Sequence, residues 1–395
     1  MKVTQTSRLR PGKPDRAIFV TSLALVVVGL VFVYSASFAV ALSAFGDINY
    51  FIVRQTFAAL VGLALMLALM RIDYHRLRLA SPALMLVAVL SLAAVLVVGD
   101  DNYGARRWIS LGSLPPFQPS EFAKLAIIVY ISAWLASRGS QVKTFALGFV
   151  PFIFMVGVVA ALIILEPDTG TATIVILTTV TLFFIAGASI THLFALLGIG
   201  GVTATVLVFA HSYRFDRILS FVAAEDDPSG LGFQVIQLLI ALGSGGVHGL
   251  GLGVSRQKFF YIPGAHTDGI FAIIGEEAGF IGAMMVISLF AYLCYRGFRV
   301  ALNARDDFGA YLALGIVAWI AFQALVNIGG VTRSIPLTGI PLPFISYGGS
   351  ALIVNMAAIG VLLSVSRYGK DQAYIERNRR QRGPATGKSK AVAPA

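Results

Sequence analysis

Charge is what this sequence has least of. Asp, Glu, Lys and Arg make up 12% of its 395 residues, where a soluble domain carries about 25%. That shortage excludes an ordinary water-soluble globule of this size. Cysteine is nearly absent as well: Cys294 stands alone, which rules out an internal disulfide, a cysteine metal cluster and a redox pair. A cleavable leader is not expected, because the apolar run opening near residue 17 continues to about residue 45. A signal peptide's apolar region spans only about 7–15 residues, so this run reads as a first transmembrane helix that stays. What the chain has instead is 57% hydrophobic residues and a mean hydropathy of +0.83. The expected class is an all-α polytopic membrane protein.

A helix needs about 20 apolar residues to cross the hydrocarbon layer. On that ruler ten spans are expected, over 17–45, 51–70, 80–98, 122–137, 145–165, 171–187, 191–210, 269–295, 309–328 and 345–366. The sixth is the least distinct, since only the turn EPDTG (166–170) parts it from its predecessor. A short cytoplasmic tail (1–16), a membrane domain (17–366) and a basic, disordered tail (367–395) complete the expected organisation. With the N-terminus inside, 21 of the 30 Lys and Arg fall on the interior side, and the positive-inside rule places both chain ends in the cytoplasm. The basic tail then lies near the anionic lipid bilayer, and nucleic acid is not required.

The remaining nine cations, Arg54, Arg106, Arg107, Lys124, Arg214, Arg217, Arg256, Lys258 and Arg333, fall on the exterior side. Most belong to the long connections 99–121, 211–268 and 329–344. Within the largest, 211–268, LGFQVIQLLIAL (231–242) is too short to cross and predicts an interfacial or re-entrant helix. The glycine run GSGGVHGLGLG (243–253) has no G-K-[ST] ending and follows no strand, so it is not a phosphate-binding P-loop. Its glycines predict close backbone packing or re-entrant turns.

Residues able to do chemistry gather at the exterior mouths of the spans. Asp268 follows Pro263 and Gly264 at the lip of span eight, beside His266 and Thr267. A carboxylate there stabilises the helix dipole by about 0.3–1 kcal/mol, but this neighbourhood of His, Thr and exterior cations favours a chemical role. Glu276 and Glu277 lie deeper, rotated by about 80° and about 180° from Asp268 on an ideal helix. Such carboxylates need pairing or water, and a hydrogen-bonded structural role stands beside catalysis. In GARRWISLG, Arg106 and Arg107 suit bidentate phosphate recognition and Trp108 an interface or a sugar face, with headgroup anchoring as the alternative for all three. Ser120, Glu121 and Lys124 open span four; the last two are spaced to pair, or Lys124 faces an anion at the helix N-terminus. Arg214 and Arg217 grip phosphate or pair with Asp216, and Glu166 and Asp168 read as hydrated turn acids. Ser346 and Tyr347 in FISYGGSAL place hydroxyls at the mouth of span ten, for anion binding or for tight packing.

In order along the chain stand GARRWI (104–109), QPSEFAKLA (118–126), EPDTGTA (166–172), GSGG (243–246), GVSRQKFFYIP (253–263), HTD (266–268), FAIIGEEAGFIG (271–282), NIGGV (327–331) and PLTGIPLPFISYGGSAL (336–352). Together they resemble the FtsW/RodA family of bacterial shape, elongation, division and sporulation proteins, over nearly the whole chain except its termini. The resemblance implies a peptidoglycan glycosyltransferase with ten spans and a large exterior loop before a catalytic aspartate. Its substrate would be lipid II, a disaccharide-pentapeptide on undecaprenyl pyrophosphate, added to a growing glycan strand. Asp268 would be the general base, and Arg106, Arg107, Lys124, Arg214 and Arg217 would hold the pyrophosphate. A divalent cation is conceivable, with Glu121 and Asp268 as ligands; no other cofactor is implied. The implied partners are a class B penicillin-binding protein, which is a transpeptidase, and membrane proteins of the divisome, at the septum of the bacterial inner membrane. SRQKFFYIP, IIGEEAG and RPGKPD (10–15) are more similar to the division member FtsW than to the elongation member RodA. Two positions depart from the family pattern: Gly264 stands where a glutamate is usual, and Gly269 where a phenylalanine is usual. The competing expectations are an elongation-type polymerase, a lipid II flippase, which needs charges along a path open to both sides, and a division scaffold without chemistry.

Overall fold

The structure is a computed structural model that describes residues 11–102, 105–110, 116–210, 212–225, 230 and 232–369. The first ten residues and the basic tail from 370 onward lie outside it. Twelve α-helices are described. The first five are α1 (Arg16–Phe45), α2 (Tyr50–Arg71), α3 (His75–Val98), α4 (Pro119–Arg138) and α5 (Val150–Leu165). Next come α6 (Thr169–Ile185), α7 (Ile190–Phe209), α8 (Ser212–Val222) and α9 (Phe233–Ser244). The last three are α10 (Ile270–Leu302), α11 (Asp307–Val331) and α12 (Gly349–Ser366). Between α3 and α4 stands an antiparallel hairpin of β1 (Asp100–Asn102) and β2 (Ala105–Trp108), in a connection the sequence reading left without an element.

Helix ends follow local chemistry. Asp15 accepts from the backbone N–H groups of Ala17 and Ile18 and so caps α1, satisfying donors that have no partner inside the helix. Asp306 caps α11 through Gly309 N in the same way. Nine of the described helices are long and apolar enough to span a membrane. The sixth expected span corresponds to α6, which has only 17 residues and extends about 26 Å. Its N-terminal Asp168 lies beside Gln118. At its other end Gly187 approaches Lys143, and His192 beyond it stacks on Phe149 at 4.6 Å. α6 therefore lies along α4 from one end to the other, beside the nine long apolar helices.

Both ends of the described chain meet on one face. Gly12 N donates to Arg367 O at 2.9 Å, Asp15 N donates to Ser366 Oγ at 3.1 Å, and Arg296 bonds Asp15 at 2.6 Å. Such closure requires an even number of crossings between them. α12 lies in the middle of the bundle, with most of its length enclosed. The opposite face carries the hairpin, the loop before α10 and the connection between α11 and α12.

α10 is broken. Gly279 adopts φ 67° and ψ −167°, which releases backbone groups that hydrocarbon cannot satisfy. The glycine run repairs the break. Leu250 N and Gly251 N donate to Glu276 O and Glu277 O at 2.9 and 3.0 Å, and Phe280 N and Ile281 N donate to Gly246 O and Val247 O at 2.9 and 3.2 Å. A Cβ on Gly249 would sit 2.2 Å from Glu277 O, so only glycine allows this approach. Preceding the run, α9 buries Val235, Leu238 and Ala241, as an apolar helix too short to cross should. Glu276 and Glu277 hold the next segment. Glu277 pairs with Lys258 Nζ at 2.9 Å and accepts from Ser35 Oγ at 2.7 Å. Glu276 accepts from Ser255 Oγ and from Arg256 N. Both carboxylates are buried and engaged, which decides for the structural role over catalysis.

Candidate active site

Asp268 sits one residue before the N-cap of α10, at the end of a tight turn. Gly264, at φ 68°, lets Thr267 N and Gly269 N both donate to Gly264 O, at 2.9 and 3.1 Å. The Thr267 hydroxyl lies 3.0 Å from Gly264 O and 3.0 Å from Asp268 Oδ1. A Cβ on Gly264 would stand 2.5 Å from Asp268 Oδ1 and 2.7 Å from Thr267 Oγ1. Gly264 thus leaves space which the aspartate's carboxylate fills.

The segment between α11 and α12 forms a second wall. Ser346 Oγ donates to Thr267 O at 2.6 Å and accepts from Leu342 N at 2.8 Å. Tyr347 N donates to His266 O at 2.9 Å. From α11, Asn327 Nδ2 donates to Asp268 O at 2.9 Å and to Ile340 O at 2.8 Å, tying the two walls together. From α2, Gln55 Nε2 donates to Ser346 O at 3.1 Å and its Oε1 accepts from Gly348 N. Backbone groups in this turn are thus held by buried amides, as an irregular segment at membrane depth demands.

α8 supplies the third wall and its charge. Arg217 Nη1 donates to Thr338 O at 2.8 Å. Across Gly339, a Cβ would lie 3.4 Å from Arg217 Nη2 and 3.9 Å from Asp268 Oδ2, so guanidinium and carboxylate flank the same glycine. The Asp268 carboxyl is half-buried. Burial pushes its pKa above the usual carboxylate range, while the Thr267 hydrogen bond and the Arg217 charge pull it back. A carboxylate with a raised pKa is a stronger proton acceptor than a free aspartate.

His266 packs on Phe51 at 4.5 Å and on Tyr347 at 5.6 Å. Burial lowers its pKa to about 4, so its ring is neutral at pH 7 and adds no second charge beside Asp268.

The other expected site residues are placed elsewhere. Arg107 donates from Nε to Glu166 O at 3.1 Å and from Nη2 to Pro167 O, stapling the hairpin to the turn between α5 and α6. Arg106 reaches Leu96 O at 3.5 Å, and Trp108 is half-buried beside it. Both hairpin arginines bond main-chain carbonyls. Ser120 is buried and accepts from Gln118. Lys124, also buried, bonds Glu121 at 2.8 Å and Gln323 Oε1 at 2.9 Å, over the Trp319 ring at 5.0 Å. The paired reading of Glu121 and Lys124 is therefore what the fold realises. Gln323 Nε2 continues to Pro341 O, so the pair supports the second wall from beneath. The α8 backbone includes Arg214, whose side chain lies outside the described residues. Among the described residues no three His, Cys, Asp or Glu side chains form a metal-holding group. Glu121 pairs with Lys124 through Oε1, while its Oε2 has no hydrogen-bond partner.

The turn acids differ from the hydrated groups expected. Asp168 caps α6 through Thr171 N, but Glu166 is fully buried with neither carboxyl oxygen hydrogen-bonded. Burial raises it to about 8, Asp168 adds to the rise, and Arg107 opposes it. Gln55, Gln323 and Asn327 escaped sequence reasoning as site residues. The signal was present: amide side chains inside apolar spans are costly and need a reason.

Comparison with known proteins places this geometry in company. A family model described as cell cycle protein (FtsW, RodA, SpoVE) matches residues 15–371. Stage V sporulation protein E of Bacillus subtilis is 44% identical over 360 residues, which cover 90% of this chain and 98% of that protein. A Trichlorobacter lovleyi protein named "Probable peptidoglycan glycosyltransferase FtsW" is 41% identical over 364 residues, 90% of this chain and 94% of the relative. Among solved structures, a chain from "Structural coordination of polymerization and crosslinking by a peptidoglycan synthase complex" matches with a TM-score of 0.74. It is 30% identical, covering 91% of this chain and 98% of that one. Rod shape determining protein RodA of Thermus thermophilus matches with a TM-score of 0.66 at 30% identity, covering 90% of this chain and 98% of that one.

Proposed function

The chain belongs to the FtsW/RodA/SpoVE family of cell cycle proteins, and from that premise we propose that it is a peptidoglycan glycosyltransferase polymerising lipid II. Asp268 takes the proton from the acceptor's sugar hydroxyl. The freed oxygen pair bonds the donor's anomeric carbon, and the bond from that carbon to the pyrophosphate oxygen breaks with its electrons leaving on undecaprenyl pyrophosphate. Arg217, across Gly339 from the carboxylate, offsets the charge that develops on the departing phosphate. Neutral His266 and Tyr347 form an apolar-edged wall suited to a sugar face.

The observation that carries this reading is the placement of Asp268: half-buried at the mouth of α10, anchored through its main chain by Asn327, and faced by a guanidinium. A lipid-linked substrate accounts for a site at the rim of a membrane bundle, and a pyrophosphate accounts for the cation. Relatives named peptidoglycan glycosyltransferase support the activity. The match to a chain of a peptidoglycan synthase complex supports a class B penicillin-binding protein as partner. Similarity to FtsW and to a sporulation protein at 41% and 44% identity supports work at a division or sporulation septum in the inner membrane.

The test is polymerisation of purified lipid II by the reconstituted protein with its transpeptidase. Asp268→Ala abolishes glycan chains while the thermal melt stays cooperative. A variant that still polymerises removes Asp268 from its role, and wild-type vesicles that move lipid II without polymerising it establish a flippase instead.

A further inference from the structure

On the face that carries both chain ends, away from Asp268, a cavity of about 320 Å³ opens between the entry to α1, the last turns of α10 and the end of α12. Lys13, Asp15, Arg296, Arg299, Asn303 and Ser366 line it. Three cations face one carboxylate, and that carboxylate is already committed. Asp15 Oδ2 bonds Arg296 Nη2 at 2.6 Å, and its Oδ1 caps α1. Arg299 donates to the Tyr295 hydroxyl at 3.1 Å. Arg296 Nε is buried without an acceptor. The cavity thus holds a net positive charge, three cations against one engaged carboxylate.

Its depth says where an anion comes from. Arg296 stands about 40 Å along α10 from Asp268, close to the thickness of a bilayer with its headgroups. Tyr292 and Tyr295 are 45% and 52% exposed on the same helix, the position of interfacial aromatic residues. Phe298 and Leu302, also exposed, continue an apolar surface beside the cavity that suits acyl chains. Basic pockets between helices at this level recognise phosphate-bearing headgroups.

We propose that this cavity binds the phosphate of an anionic phospholipid from the leaflet on the chain-end side, tying the α1 entry to α10 and α12. The site is separate from the glycosyltransferase reading and stands or falls without it.

The test titrates the full-length protein in neutral detergent with phosphatidylglycerol, phosphatidylcholine and inorganic phosphate, following the thermal melt and native mass spectra. Phosphatidylglycerol raises the melting temperature and adds one retained lipid, and the other two do not. Lys13→Gln/Arg299→Gln, which spares the Arg296–Asp15 pair, weakens the apparent affinity about 30-fold, roughly fivefold for each cation removed. Arg76→Gln/Arg78→Gln, which removes two exposed cations elsewhere on the same face, leaves it unchanged. An equal loss in both variants reduces the effect to surface charge and overturns the site. An equal response to phosphatidylcholine overturns anion selectivity. A full response to inorganic phosphate alone overturns the lipid as ligand.

Discussion

At the scale of single residues, the proposed chemistry turns on how Asp268 is held. Burial raises its pKa and Arg217 lowers it, so Arg217→Gln lets the pKa climb further. Only the ionised carboxylate accepts a proton, so polymerisation is lost as pH falls through that pKa. The acid limb of the pH–rate profile therefore moves to higher pH in Arg217→Gln. A reduced rate with an unmoved limb would confine Arg217 to the leaving group. Gly264 is the second lever. A Cβ there overlaps the carboxylate at 2.5 Å, on a backbone at φ 68°, so Gly264→Ala displaces the base. A misplacement of that size costs about 100-fold in rate, to be read as kcat at saturating lipid II with Arg217 and His266 intact.

At the scale of elements, the broken α10 and the loop that mends it form one unit. The Lys258–Glu277 pair is wholly enclosed, and such a pair matters most when one partner is removed. Lys258→Met leaves Glu277 buried and unpaired, a loss of about 3–5 kcal/mol, and lowers the melting temperature sharply. Lys258→Met/Glu277→Leu recovers most of that loss, since a packed apolar pair avoids the desolvation penalty. Failure of the double replacement to recover would mean that the bonds from Ser35 and Ser255 N to Glu277 carry the stability instead. Spacing alone announced that Glu276 and Glu277 could not both face Asp268. What they face, a loop some 20 residues earlier in the chain, has no trace in helical periodicity.

At the scale of the whole molecule, the paired ends of the described chain call for an even number of crossings, and we propose α6 as the tenth beside the nine long apolar helices. In a Cys294→Ala background, Ser110→Cys and Thr191→Cys flank α4, α5 and α6, an odd number of crossings. A membrane-impermeant thiol reagent modifies them from opposite sides of the membrane; labelling from one side would remove α6 as a span. Nine long apolar helices, the short apolar helix α9 and the aspartate at the mouth of α10 were all legible in the sequence. Each follows from local hydropathy, length or a neighbouring proline and glycine, and hydrocarbon leaves the backbone few alternatives. The partners were not legible. Arg217 and Asp268 flank Gly339, Asn327 anchors the aspartate's main chain, Lys124 withdraws into the core with Glu121 and Gln323, and Arg107 bonds main-chain carbonyls. A cation's role depends on which acceptor lies within about 4 Å and on the water left around it. Those distances join residues far apart in the chain, so hydropathy alone set which residues enter the membrane, and only the packed bundle decided which of its charges remain available for chemistry.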